Sequence, residues 1–218
     1  MMVDLNLPNY LAYFVFVFAS IFVIVNPLQA SLVFVSLTSG LSTEFRRRIT
    51  IRATTIAFIV AVVFAVGGDL ILRFFGITVD SLRVAGGILL FLVAMDMLRG
   101  GREHKKVTDA ELQDANVRED ISVFPLATPL ITGPGAMTTV VVQMGAAPTF
   151  AEKSLVMAAI VLTFMATYLI FRFSEYIEHI LGVTGIMVLT RIQGLILGAI
   201  AVNFVATGAW NLYMSMIK

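Results

Sequence analysis

The 218-residue chain contains no cysteine, two histidines and one tryptophan, and only 13% of its residues are charged. The missing cysteines exclude disulfides and thiol chemistry. A soluble domain of this size carries roughly a quarter charged residues, so the shortage of charge excludes an ordinary water-soluble fold. A formal net charge of +1 gives no indication of nucleic acid, which is not an expected partner. The first residues include Asp4 but no lysine or arginine. The basic start of a cleavable signal peptide is therefore missing, and the first apolar run is expected to stay in the protein. There is no His-Glu-x-x-His motif, no Gly-Asp motif in both halves, and no nucleophile with a nearby intramembrane histidine. An enzyme is not expected, nor is a metal or other cofactor.

What is present is apolar. The chain is 59% hydrophobic, with a mean hydropathy of +0.94. The apolar residues fall into six runs long enough to cross about 30 Å of hydrocarbon: Tyr10 to Phe34, Ile51 to Leu72, Leu82 to Leu98, Ile121 to Val142, Leu155 to Phe171 and Ile192 to Tyr213. The lipid bilayer is the expected surrounding. Basic residues orient the spans. Loops one, three and five hold eleven lysines and arginines, against four on the other side. The positive-inside rule then puts both termini outside the cytoplasm. Of the 22 residues from Arg99 to Asp120, eleven are charged. This segment reads as a solvated cytoplasmic linker (99–120) between two halves, 1–98 and 121–218.

The halves repeat. Pro27-Leu28 matches Pro129-Leu130, 102 residues on. Phe75-Gly76-Ile77-Thr78 resembles Leu181-Gly182-Val183-Thr184 at an offset of 106. Arg83-Val84-Ala85-Gly86-Gly87 resembles Arg191-Ile192-Gln193-Gly194-Leu195 at 108. Three spans per half is an odd number, so the second copy must insert upside down. The charge count agrees, placing Arg83 and Arg191 on opposite faces. The expected fold is an all-α membrane protein of six transmembrane helices, built as two inverted three-helix repeats with discontinuous helices 1 and 4.

The discontinuities carry the functional expectation. No charge occurs from Leu5 to Thr43, a run of 39 residues, or from Ile121 to Ala151, a run of 31. About 20 residues already span the core, so each run needs a break. Asn26-Pro27 and Thr132-Gly133-Pro134-Gly135 supply it, because proline frees backbone groups that lipid cannot satisfy. At a break one half-helix ends in free C=O groups and the next starts with free N–H groups, which attract cations and anions respectively. A carboxylate is expected at the N–H groups of Gly135, Ala136 or Met137. The candidate binding residues are Asn26, Pro27, Gln29, Ser31, Thr128, Pro129, Thr132, Gly133, Pro134, Gly135, Ala136 and Thr138. All are uncharged, and those around Ala30, Ser31 and Gly133 to Ala136 are small. They suit a small zwitterion at the membrane midplane. Asp69 is either a carboxylate for a coupling proton or a solvated residue near the interface. Asn203 either faces the cavity or bonds between helices.

On Val25-Asn26-Pro27-Leu28, Phe34-Val35-Ser36-Leu37-Thr38, and the run from Pro125 to Thr139 with its Pro-x-x-x-Pro-x-x-x-x-Pro and Gly-Pro-Gly, the chain resembles the MarC family, which includes the SnatA-type small neutral amino acid transporters. The resemblance covers nearly the whole chain. It implies a multi-pass protein of the bacterial inner membrane that carries glycine, alanine or similar neutral amino acids, driven by an ion or proton gradient. The chain departs from the family pattern at Gln29 and Leu32, where glycine and proline are usual, so the first break is expected to be less open than the second. The alternatives are an aquaporin-like channel for a small neutral solute and an exporter of another small metabolite. The sequence leaves open whether the chain acts alone or as a homo-oligomer.

Overall fold

A computed structural model describes residues 8–38, 40–99 and 131–217. Among them every regular element is helical: α1 (Pro8–Val25), α2 (Pro27–Leu37), α3 (Thr43–Phe74), α4 (Val79–Leu98), α5 (Pro134–Ala146), α6 (Phe150–Arg172) and α7 (Ser174–Ile217). Five stretches are long and apolar enough to cross a membrane: Tyr10–Leu37, Thr43–Phe74, Val79–Leu98, Phe150–Arg172 and Ser174–Ile217. The expected fourth span is described only from Ile131 onward. The linker beyond Arg99 lies outside the described residues.

Local chemistry sets the helix ends. Ser42 caps α3 by accepting from the N–H of Phe45 at 3.3 Å, and Thr78 caps α4 through the N–H of Ser81 at 3.0 Å. Thr149 and Glu152 form a reciprocal capping box at the start of α6. At the end of α3, Gly76 takes φ +65° and the N–H of Ile77 returns to the carbonyl of Leu72 at 2.9 Å. This is a Schellman stop, which needs a residue without Cβ. Gly182 takes nearly the same φ, +61°, inside α7. It is the residue matched to Gly76 by the 106-residue offset. A Cβ at either glycine would meet nothing within 4 Å. Gly76→Ala should therefore cost only the left-handed strain, about 1–2 kcal/mol, and Gly182→Ala about 1–3 kcal/mol, because its φ 61° and ψ 169° lie in a region entered almost only by glycine. Thermal unfolding in detergent should show both losses and none for Gly67→Ala, which sits in open space with ordinary helical φ.

The helix α7 corrects an expected boundary. The sixth span is expected from Ile192, but helix already starts at Ser174, is interrupted at the non-helical Gly182, and resumes to Ile217. Hydropathy marks only the part that faces hydrocarbon, whereas the helix continues into polar surroundings at Glu175, Glu178 and His179. The helix α3 likewise begins eight residues before Ile51, at Thr43.

Packing depends on small side chains. Ala53, Ala57, Ala61 and Ala65 form a fully buried stripe along α3 at four-residue spacing. That stripe lets α3 approach α5 and α6 closely. The helices α4 and α7 pack along each other. A Cβ on Gly87 would come within 2.9 Å of the carbonyl of Ala201, and one on Gly208 within 2.8 Å of the carbonyl of Asp80. One buried cluster joins α1, α2, α3, α5 and α6. A second joins α4 and α7 with Val23 and Val142. The partners are exchanged between halves: α2 lies on α6 and α7, whereas α5 lies on α3 and α4. Outward-facing residues such as Leu11, Val66 and Leu70 are exposed and apolar, as lipid contact requires.

Candidate functional site

The first break is built by two adjacent residues. Asn26 adopts φ 47° and ψ 58°, the left-handed region. Asparagine is one of the few residues with a side chain that enter it readily. Pro27 follows at the first position of α2, where its fixed φ suits the helix and its missing N–H costs nothing. The carbonyl of Val23 thereby loses its usual donor four residues on. The rest of the break is satisfied internally. The N–H of Asn26 donates to the carbonyl of Phe22 at 3.0 Å, and that of Ala30 to the carbonyl of Asn26 at 3.1 Å. The side chain of Asn26 accepts from the Gln29 N–H at 3.4 Å and donates to the Gln29 side chain at 2.6 Å. Gln29 thus folds back on the cap. The hydroxyl of Ser31, a buried residue, donates to the carbonyl of Leu28 at 2.7 Å.

The second break has no cap among the described residues. Gly133 occupies the N-cap of α5 and supplies no side-chain cap; Pro134 is the first helical residue and has no N–H. The N–H of Met137 is already used by the carbonyl of Gly133 at 3.0 Å. Met137 is thus no anion donor, contrary to one of the three expected positions. For the N–H groups of Gly135 and Ala136, no acceptor lies among the described residues. Both residues are buried, while Pro134 is exposed. The other breaks and starts in α2, α3, α4 and α6 all have a side-chain cap.

Tertiary contacts set the two breaks side by side. A Cβ on Gly135 would stand 3.0 Å from the Cδ1 of Ile24, two residues before Asn26, and 3.7 Å from the Cδ2 of Leu90. Thr132, fully buried, donates its hydroxyl to the carbonyl of Ala57 on α3 at 3.0 Å. The hydroxyl of Thr138 bonds back to Pro134 at 2.8 Å, and its methyl presses on Gly86. Thr128 and Pro129 lie outside the described residues. Asp69 is exposed and pairs with Arg73 one turn on, at 2.9 Å. Asn203 is exposed on α7. Neither belongs to the buried group at the breaks.

Sequence reasoning missed Ile24 and Leu90, whose only signal was membership of an apolar run. It also missed a closure at the ends of α2, α3, α6 and α7. There Arg46 pairs with Glu175, and its guanidinium lies 5.6 Å from the centre of the Phe34 ring. Phe34 in turn stacks on Phe171 at 4.9 Å. A cleft of about 230 Å³ is lined there by Arg46, Arg47, Thr50 and Tyr176 among others.

Residues 11–213 match the model of the MarC family of integral membrane proteins. The chain is 41% identical over 198 residues to a UPF0056 membrane protein of Methanocaldococcus jannaschii, covering 91% of this chain and 96% of that one. It is 39% identical over 199 residues to a UPF0056 membrane protein of Aquifex aeolicus, covering 91% and 93%. A third UPF0056 membrane protein, from Escherichia coli, is 35% identical over 206 residues, covering 94% and 95%. No solved structure matches the chain.

Proposed function

The chain belongs to the MarC family of integral membrane proteins, and from that membership and the unequal breaks we propose that it is a secondary transporter of small neutral amino acids such as glycine or alanine. One observation carries this reading: a buried helix N-terminus at Gly135 and Ala136, whose N–H groups have no acceptor among the described residues and no side-chain cap, packed beside the break at Asn26. Burying two backbone donors without a partner is costly. A substrate carboxylate at that position would serve as the missing cap. The ammonium group would turn to carbonyls freed at the first break, such as that of Val23. Small neighbours leave space for a short side chain only. Ile24 closes one side of Gly135, so entry of the guest requires α1 and α5 to part, as alternating access demands.

Three further observations support paired, inverted halves. Gly76 and Gly182 share a left-handed φ at matched positions. The partners of α2 and α5 are exchanged between halves. Phe58 and Phe164, themselves 106 residues apart, meet ring to ring at 5.9 Å, as a residue and its equivalent do beside a two-fold axis. The charge count puts both termini outside the cytoplasm of an inner-membrane protein, and an ion or proton gradient drives accumulation. Asp69 has no part in this reading. Asp69→Asn should leave accumulation unchanged and shift stability by no more than about 0.5 kcal/mol, because an exposed pair on one helix contributes little.

Reconstitution tests the reading. Proteoliposomes should show saturable uptake of labelled glycine or alanine, inhibited by the unlabelled compound. Osmotic swelling without saturable uptake would instead establish a channel.

A further inference from the structure

Buried hydroxyls in these helices usually return to the carbonyl one turn back. Ser20 bonds to Phe16 at 2.7 Å, Thr50 to Arg46 at 2.9 Å, Thr139 to Gly135 at 2.8 Å, and Thr167 to Thr163 at 2.8 Å. Thr163, on α6, does not, and neither does Thr190 on α7, which is slightly less buried. The side chain of Thr163 is fully buried, yet its hydroxyl has no hydrogen-bond partner among the described residues. A buried polar atom without a partner needs a reason, since nearly all such atoms are satisfied.

Its position suggests one. Phe164, the next residue, meets Phe58 on α3 with ring centres 5.9 Å apart. Ala57, just before Phe58, accepts the hydroxyl of Thr132 at the second break. Thr163 therefore lies close to the depth of that break. Ala57 and Thr163 stand 106 residues apart, and Ala30 and Thr132 stand 102 apart, two of the three offsets that relate the halves. The polar partner has changed places between them. At the second break the threonine is on the interrupted segment and the alanine on the neighbouring helix. At the first break the interrupted segment has Ala30 and the neighbouring helix has Thr163. The helix α2 packs on α6, and Ala30 shares a buried cluster with Ile160 and Phe164, which flank Thr163. Thr132 finds a carbonyl of the protein. By the repeat relation the position that would answer Thr163 is Ala30, whose methyl group can neither donate nor accept.

We infer that Thr163 is a specificity-determining residue of the transport site, holding its hydroxyl for the polar head of the bound amino acid beside the first break. A hydroxyl donates to a carboxylate or accepts from an ammonium group. This assignment rests on the transporter reading above. The test uses the full-length protein in proteoliposomes, with labelled glycine and alanine. Thr163→Val keeps the shape and removes the hydroxyl; Thr163→Ser keeps the hydroxyl. Valine should raise KM about tenfold, the effect of one lost hydrogen bond. Its Tm should be equal to or above that of the wild type. Serine should keep a wild-type KM. An unchanged KM in Thr163→Val overturns the assignment while leaving the transporter reading intact. So does a fall of several degrees in its Tm together with lost uptake, which would mark a structural hydroxyl. Absence of uptake by the wild type would overturn both.

Discussion

Gly135→Val should reduce uptake of labelled glycine and alanine to background while most of the protein still folds. Glycine is required at this position for two physical reasons. The N–H of Gly135 is one of two donors at the start of α5 without an acceptor among the described residues, and a bare backbone lets a ligand approach it. The space beyond is also filled, because a Cβ would stand 3.0 Å from the end of Ile24. The end of an isoleucine side chain can shift, so the packing penalty should be moderate, about 1–3 kcal/mol. Near-native Tm with no uptake is the expected pair of results. Adding Ile24→Ala separates the causes. The double variant Gly135→Val/Ile24→Ala has room for the new methyl groups. If blocked access to the peptide N–H groups is the defect, it regains Tm but stays inactive. Restored uptake would show that Gly135 serves packing alone and would remove the anion site from the mechanism.

Gly87→Ala should be strongly destabilising. The added carbon would lie 2.9 Å from the carbonyl of Ala201 and 2.9 Å from the N of Val205. Both are backbone atoms of α7, which cannot rotate away as a side chain does. The helices α4 and α7 would have to separate along their shared seam, at about 3 kcal/mol or more. The proper control is Gly198→Ala on the facing helix, where the new carbon would meet only the Cβ of Ala94 at 3.7 Å. That change should be neutral or stabilise by up to about 1 kcal/mol, since alanine is the better helix former. Melting curves of the two variants in detergent should differ by many degrees. Equal curves would show that the α4–α7 seam does not depend on close backbone contact.

Much of the fold was legible because its causes are local. Runs of apolar residues specify spans through transfer free energy alone. Asn26-Pro27 marks a break because proline lacks an N–H and asparagine accepts a left-handed backbone. The two left-handed glycines, Gly76 and Gly182, appear in sequence as one motif written twice. The start of α7 was illegible, since polar helical turns beyond the hydrocarbon carry no hydropathy signal. The pairing of Arg46 with Glu175 was illegible as well. It joins residues 129 positions apart, and the sequence offers each only as a charge near an interface.

The candidate site divides along the same line. Gly133-Pro134-Gly135 alone declares an uncapped helix start, because neither glycine has a side chain to offer and proline has no hydrogen to give. Whether such a start is dry, and what faces it, depends on helices that arrive from elsewhere in the chain. Asn26 turns to Gln29 and closes its own break, whereas Ile24, Leu90 and Ala57 come together around the other. Thr163 reads in sequence like any threonine of an apolar helix. Its full burial, with no hydrogen bond made by the hydroxyl among the described residues, is what the fold adds. Composition and local backbone chemistry thus determined that this protein lies in a membrane and where its helices break. Tertiary packing decided which freed polar groups find a partner, since a hydrogen bond is satisfied or left open by whatever the fold brings within about 3 Å.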